Sequence, residues 1–148
     1  MTSSETGARH TTLTDRTAYL THKLDCVLLP VIESDLARLD LAARSYFVLA
    51  GIDQDTPPSQ QDLARSLRLD PTTVVGVVDE LEQIGYVTRM RNPADRRRYN
   101  LHLTPAGAEA LARAEHEMDA LEREFFSPLS ADERHTLHVL LERVLEGR

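Results

Sequence analysis

Between residues 59 and 107 the apolar positions fall first into two short helical stripes and then into a strand-like alternation. In SQQDLARSL, Leu63, Ala64 and Leu67 share one helical face. Ser59 stands where a hydroxyl caps free N–H groups, and Asp62 lies in the first turn, where the helix dipole favours negative charge. The chain restarts at Asp70-Pro71, an N-cap acid followed by a proline whose missing N–H does no harm at the first helical position. Through PTTVVGVVDELEQIG, Val74, Val77, Val78 and Leu81 recur at helical spacing and are predicted inside. That turns Thr72, Thr73, Val75, Gly76, Asp79 and Gln83 outward, and Gly85 is placed to end the helix. YVTRMR and YNLHL then alternate roughly, with NPADRRR between them, which predicts a β-hairpin with a long charged tip.

Two helices joined by so short a turn form either an ordinary helical hairpin or a helix-turn-helix, whose second helix reaches base edges in the major groove. The charged hairpin favours the second, because it supplies the wing of a winged helix. Net charge at first argues against nucleic acid, since the chain carries −7 and has a pI near 5.3. Its distribution removes the objection. Residues 59–103 hold 7 basic and 6 acidic side chains, and within 86–99 Arg89, Arg91, Arg96, Arg97 and Arg98 face only Asp95. Such a tip can enter a minor groove or clasp phosphates; the alternative is a hairpin kept soluble by charge.

The flanks read as helices. Leu20, Leu24, Val27, Leu28 and Val31 form a stripe on a long helix from about Thr14, and LAARSYFVLAGID is the next helix, ending before Pro57-Pro58. Gly107, Leu111, Ala114, Met118, Leu121 and Phe125 follow heptad spacing after a Thr104-Pro105 start, until Ser127-Pro128 breaks the run. Ser130 and Glu133 make a capping box for a last helix with Leu137, Leu140, Leu141, Val144 and Leu145 on one side. The expected fold is mainly α with a small β-hairpin wing. Residues 1–12 are expected to be a disordered tail, and 13–148 a single domain: N-terminal helices over 13–55, winged helix-turn-helix over 56–103, dimerisation helices over 104–148. The terminal stripes could be monomer core, but so much apolar surface around one small domain favours a homodimer.

The stretch SQQDLARSLRLDPTTVVGVVDELEQIGYVTRMRNPADRRRYNLHLTPAGAEAL resembles the multiple-antibiotic-resistance regulator (MarR) family of bacterial winged helix-turn-helix transcription factors. The resemblance implies that Asp95 and Arg97 form the wing's Asp-x-Arg motif, with the arginine in the minor groove and the aspartate steadying a neighbouring guanidinium; Arg89 and the LTPAG join also match. Ser59, Thr72, Thr73, Val75, Gly76, Arg89, Asp95, Arg96, Arg97 and Arg98 are thus the candidate DNA-binding residues. One departure is the outer face of the second helix, where the family often carries a basic residue and this chain has Asp79, Glu80 and Glu82. Base readout is then expected from Thr72, Thr73 and Val75, whose methyl and hydroxyl groups suit thymine methyls and base edges. The family reading further implies a ligand-responsive regulator, with repression favoured over activation. It would bind a pseudo-palindromic operator on double-stranded DNA as a homodimer and be released by a small aromatic or phenolic effector.

Cys26, the one cysteine, opens a second reading. LDCVLLP resembles the organic-peroxide-sensing branch of the family, and His22 lies one turn earlier, where it could lower the thiol pKa. Pro30, four residues on, is expected to disturb the helix around the Cys26 carbonyl. Cys26, His22 and Tyr46 are the candidate redox or effector residues, set against a plain buried cysteine. Ala43 stands where that branch is expected to carry a tyrosine. His135, His138 and Glu142 could share a face but do not complete a tetrahedral metal site, and no cofactor is expected. There is no glycine-rich phosphate loop or nucleophile elbow, so an enzyme is not expected; a winged helix acting as a protein-interaction module would not need the arginine tip. At 148 residues, sensor and DNA grip are expected to share one fold. No membrane-length apolar run or signal-peptide order is present, and with a lone cysteine a reducing cytoplasm fits.

Overall fold

The computed structural model describes residues 12–147, so the expected tail lies outside the described residues except for Thr12. Thr12 and Asp15 close a capping box around one 3-10 turn, Leu13–Asp15, and Arg16 is extended. For that reason the first helix, α1, starts at Thr17 rather than near Thr14, and it runs to Ala37. It continues through Pro30, so the expected disturbance is confined to the Cys26 carbonyl, which lacks its usual donor four residues on. Only the C-terminal half of α1 faces the core: Ile32 and Leu36 are buried and Leu28 packs beside them, whereas Leu20, Val27 and Val31 stay exposed.

Helix α2 (Ala43–Ala50) buries Ala43, Val48 and Leu49. Helix α3 (Gln60–Ser66) and helix α4 (Pro71–Gln83) follow, capped by Ser59 and Asp70, whose side chains accept from the N–H groups of Asp62 and Thr73. The turn between them is a Schellman-type closure: Arg68 adopts φ 51°, and the Leu69 N–H returns to the Ala64 carbonyl at 3.0 Å. Val74, Val77, Val78 and Leu81 are the buried face of α4, as their spacing requires. Gly85, at φ 81°, ends the helix in the left-handed region, and Tyr86 N–H reaches back to Leu81.

Strands β1 (Val87–Arg91) and β2 (Tyr99–Leu103) pair antiparallel, with Val87 opposite Leu103 and Arg91 opposite Tyr99. The Leu101 N–H also donates to the Pro58 carbonyl at 2.8 Å, which fastens the loop before α3 to the hairpin. The core joins Leu36, Leu49, Leu63, Leu81 and Leu101 with Val48, Val74, Val78 and Val87, all fully buried. Truncating any of these leucines to alanine would cost about 2–5 kcal/mol.

Helix α5 (Pro105–Phe125) packs against α1. Thr104 fixes its start: the hydroxyl accepts from Gly107 N–H at 3.0 Å and donates to the Gly85 carbonyl at 2.5 Å. Gly107, read in the sequence as one position of an apolar stripe, has a different role. A Cβ there would lie 1.9 Å from the Tyr86 carbonyl oxygen, so the first turn of α5 fits against the hairpin only with a bare α-carbon. Helix α6 (Ala131–Glu146) has the Ser130–Glu133 capping box, but none of its residues is buried.

Candidate nucleic-acid interface

Two exposed features carry the candidate interface, the N-terminal half of α4 and the tip of the hairpin. Thr72 and Gly76 are exposed, Val75 is 39% exposed, and Thr73 is half-buried. The tip is organised by its own hydrogen bonds. Asn92 Oδ1 accepts from the N–H groups of Ala94 and Asp95 at 2.8 and 3.3 Å, and Asn92 N–H donates to the Arg98 carbonyl at 2.9 Å. Asp95 Oδ1 accepts from Arg97 N–H at 3.1 Å and Arg97 Nε at 3.4 Å, which orients a guanidinium whose side chain remains 92% exposed. Below the tip, Arg91 stacks 5.4 Å from the Tyr99 ring centroid and donates to the Arg96 carbonyl at 3.0 Å. With Arg96 and Arg98 also exposed, three guanidiniums project from a loop that needs little reordering to meet phosphate. A cleft of about 350 Å³ opens between the start of α3 and the wing, with Gln60, Gln61, Arg97, Arg98 and Tyr99 among its walls.

Two candidates take on different work. Ser59 borders this cleft but is 7% exposed, and its hydroxyl is used within the α3 cap, donating to Asp62 Oδ2 at 2.7 Å and accepting from Asp62 N–H at 3.2 Å. The hydroxyl, and then the Ser59 N–H, hold the Asp62 carboxyl below its ordinary range. Arg89, expected to reach DNA, also lines this cleft, and its guanidinium is already paired within the protein. Its guanidinium bonds Asp79 at 2.5 Å, Glu82, and the side-chain oxygen of Gln60 at 2.7 Å, leaving the side chain 21% exposed. This clamp ties the wing, α4 and α3 together, and it accounts for two of the three carboxylates that stood against DNA binding on α4. Gln60 was not anticipated from the sequence. The available signal was a pair of acids three residues apart on α4 followed by one arginine at the start of the hairpin.

The α1 candidates sit elsewhere. Cys26 is exposed, with Sγ 3.5 Å from His22 Nε2. Tyr46 is half-buried beside Phe47, ring centroids 5.6 Å apart, and no hydrogen bond joins it to Cys26 among the described residues. Burial first, and then the carboxylates of Glu115, Glu122 and Asp119 on α5, raise the pKa of its hydroxyl. Ala43 is buried in the core. On α6, His138 pairs with Glu142 at 3.2 Å, and among the described residues no three His, Cys, Asp or Glu side chains converge on a possible metal site. Among the same residues no helix is long and apolar enough to cross a membrane.

The family model described as the MarR family matches residues 41–99. The multiple antibiotic resistance protein MarR of Escherichia coli K12 is 33% identical over 112 residues, 74% of this chain and 77% of that protein. The chain belongs to the MarR family. That family consists of transcriptional regulators, not enzymes. A Thauera aromatica protein described as a transcriptional regulatory protein for the hcr operon is 41% identical over 99 residues, 67% of this chain and 60% of the relative's own length. Among solved structures, the transcriptional repressor CouR on a 23-mer DNA duplex matches with a TM-score of 0.82 at 26% identity, covering 90% of this chain and 94% of that one. CouR of Rhodococcus jostii RHA1 bound to p-coumaroyl-CoA matches with a TM-score of 0.80 at 28% identity and the same coverage. The winged helix of this MarR-family chain is therefore an instance of a scaffold that other members use on DNA and with a small ligand.

Proposed function

We propose that this chain is a homodimeric repressor that grips double-stranded DNA with Thr72, Thr73, Val75 and Gly76 in the major groove and with Arg96, Arg97 and Arg98 at the flanking backbone and minor groove. The observation that carries this reading is the wing tip, where Asn92 organises the loop, Asp95 orients the Arg97 guanidinium, and Arg96, Arg97 and Arg98 all stay exposed. Similarity to a repressor solved on a DNA duplex supports the same partner. Residues 56–103 are read as the DNA grip, and α1, α5 and α6 as the dimer scaffold. Support for the dimer comes from the apolar surface that one protomer leaves open: Leu20, Val27 and Val31 on α1, and Leu140, Leu141, Val144 and Leu145 on α6, the last two 62% and 61% exposed. A two-fold dimer presents two α4 helices to half-sites about one helical turn apart, hence a pseudo-palindromic operator. A small aromatic or phenolic effector that prefers another α4 spacing would shift the population and release DNA. Because its partner is the chromosome, we assign the protein to the cytoplasm.

The test is anisotropy of labelled duplex from the promoter region of its own gene, against a scrambled duplex, across a salt series. Preferential binding that weakens as salt rises, and weakens further in Arg97→Ala, is the expected result. Equal binding to both duplexes at every salt concentration would count against sequence-specific repression at that promoter.

A second reading, a thiol-based organic-peroxide sensor on the same fold, is favoured by the exposed Cys26 Sγ at 3.5 Å from His22. Its test is release of that duplex by cumene hydroperoxide in the wild type but not in Cys26→Ser.

A further inference from the structure

Gly76, in the middle of α4, has no structural reason to be a glycine. Gly85 supplies a left-handed turn and Gly107 a close approach to Tyr86, but Gly76 lies in regular helix, is exposed, and a Cβ built on it meets nothing within 4 Å. Inside a helix glycine is less favourable than every residue except proline, because its unfolded chain has the most freedom to lose. A merely solvated position would be better filled by alanine. The surroundings point to what limits it. Thr72 and Thr73 lie one turn before Gly76 on the same side, Val75 next to it in sequence, and Asp79 and the exposed Glu80 one turn after. Asp79 is drawn away by Arg89 at 2.5 Å. The open half of α4 is thus hydroxyl, methyl and bare backbone, a surface shaped to come close rather than to reach out.

We propose that Gly76 is a specificity-determining residue, at which the α4 backbone approaches the edge of a base pair in the major groove so closely that one added methyl group does not fit. The inference rests on the DNA-binding reading above. It differs from side-chain readout because the discriminating feature is an absent side chain: base pairs are selected by which edge the helix backbone can lie against.

The experiment enriches duplexes from a randomised pool with the wild-type full chain. It then measures anisotropy of the enriched duplex and a scrambled counterpart for the wild type and Gly76→Ala, beside thermal unfolding of both proteins. The expected result is a variant that unfolds about 3 °C higher, binds the scrambled duplex as the wild type does, and binds the enriched duplex about tenfold or more weakly. Undiminished affinity of Gly76→Ala for the enriched duplex would overturn the inference and leave the DNA reading standing. Equal weakening on both duplexes, or a lower unfolding temperature, would also overturn it, since the effect would then lie in backbone contacts or in the fold. If the wild type enriches no duplex, the DNA reading fails and the inference with it.

Discussion

Arg89 on the first wing strand reaches Asp79 on α4 at 2.5 Å, and the same guanidinium holds Glu82 and Gln60. An arginine that would otherwise add to the basic wing is neutralised by the helix it braces. Arg89→Ala should lower stability by about 1 kcal/mol, because it removes the common partner of Gln60, Asp79 and Glu82 while both carboxylates stay partly solvated. The slope of log affinity against log salt should change little, since the charge of this guanidinium is already paired with Asp79 and Glu82. Urea unfolding and a salt series check both, and a slope that falls by about 1, the share of one phosphate, would return Arg89 to the DNA.

Arg97→Ala should do the opposite. Its side chain is 92% exposed and pairs with Asp95, so folding should not register the change, while the salt slope should fall by about 1 for each phosphate the guanidinium neutralises. Anisotropy across the salt series and thermal unfolding of the same samples separate the two quantities.

Gly107→Ala should be among the most damaging single-methyl changes in the chain. The new Cβ would sit 1.9 Å from the Tyr86 carbonyl oxygen, and the start of α5 must shift away from the wing to admit it. A loss of about 3 kcal/mol is expected from such overpacking. Chemical denaturation measures it, and an unchanged midpoint would mean that α5 slides freely on the hairpin.

Charge placed on α6 should split the proposed dimer. Val144 and Leu145 are more than half exposed in one protomer, so Val144→Glu should cost the folded protomer little while burying an unpaired carboxylate in any interface. Sedimentation should report monomer, with operator affinity falling because the second half-site is no longer held. A dimer of unchanged strength would move the interface off this face.

Acid should find the α3 cap. The Ser59 hydroxyl, and then the Ser59 N–H, keep the Asp62 carboxyl below its ordinary 3.8. A depressed pKa in the folded state contributes stability that is present above that value and lost as pH falls through the folded one. Asp62→Asn should therefore lose less stability than the wild type as pH is lowered past about 3.8, the ordinary aspartate value. Urea midpoints across that range test this, and parallel curves would place the acid sensitivity elsewhere.

The amino-acid sequence by itself determined the elements and most of the helix caps. Ser59, Asp70, Thr104 and Ser130 each cap the helix that follows them, Gly85 closes α4, and the inward face of α4 is the valine–leucine stripe read from spacing. Those features are local, fixed by hydrogen bonds and side chains within a few residues of one another. Tertiary structure decided what each exposed or charged residue is for. Arg89 and Arg97 look alike in the sequence, eight positions apart on one hairpin; only packing turns the first inward to Asp79, ten residues back along the chain, and leaves the second in solvent. Gly107 reads as an apolar stripe position until the Tyr86 carbonyl lies against it. The stripe of α1 likewise stays largely open, with Leu28 packed beside the core, while Ile32 and Leu36, outside that stripe, are the residues the fold buries. Periodicity shows that a face is apolar. What it packs against depends on contacts between residues far apart in the chain, and those exist only in the assembled fold.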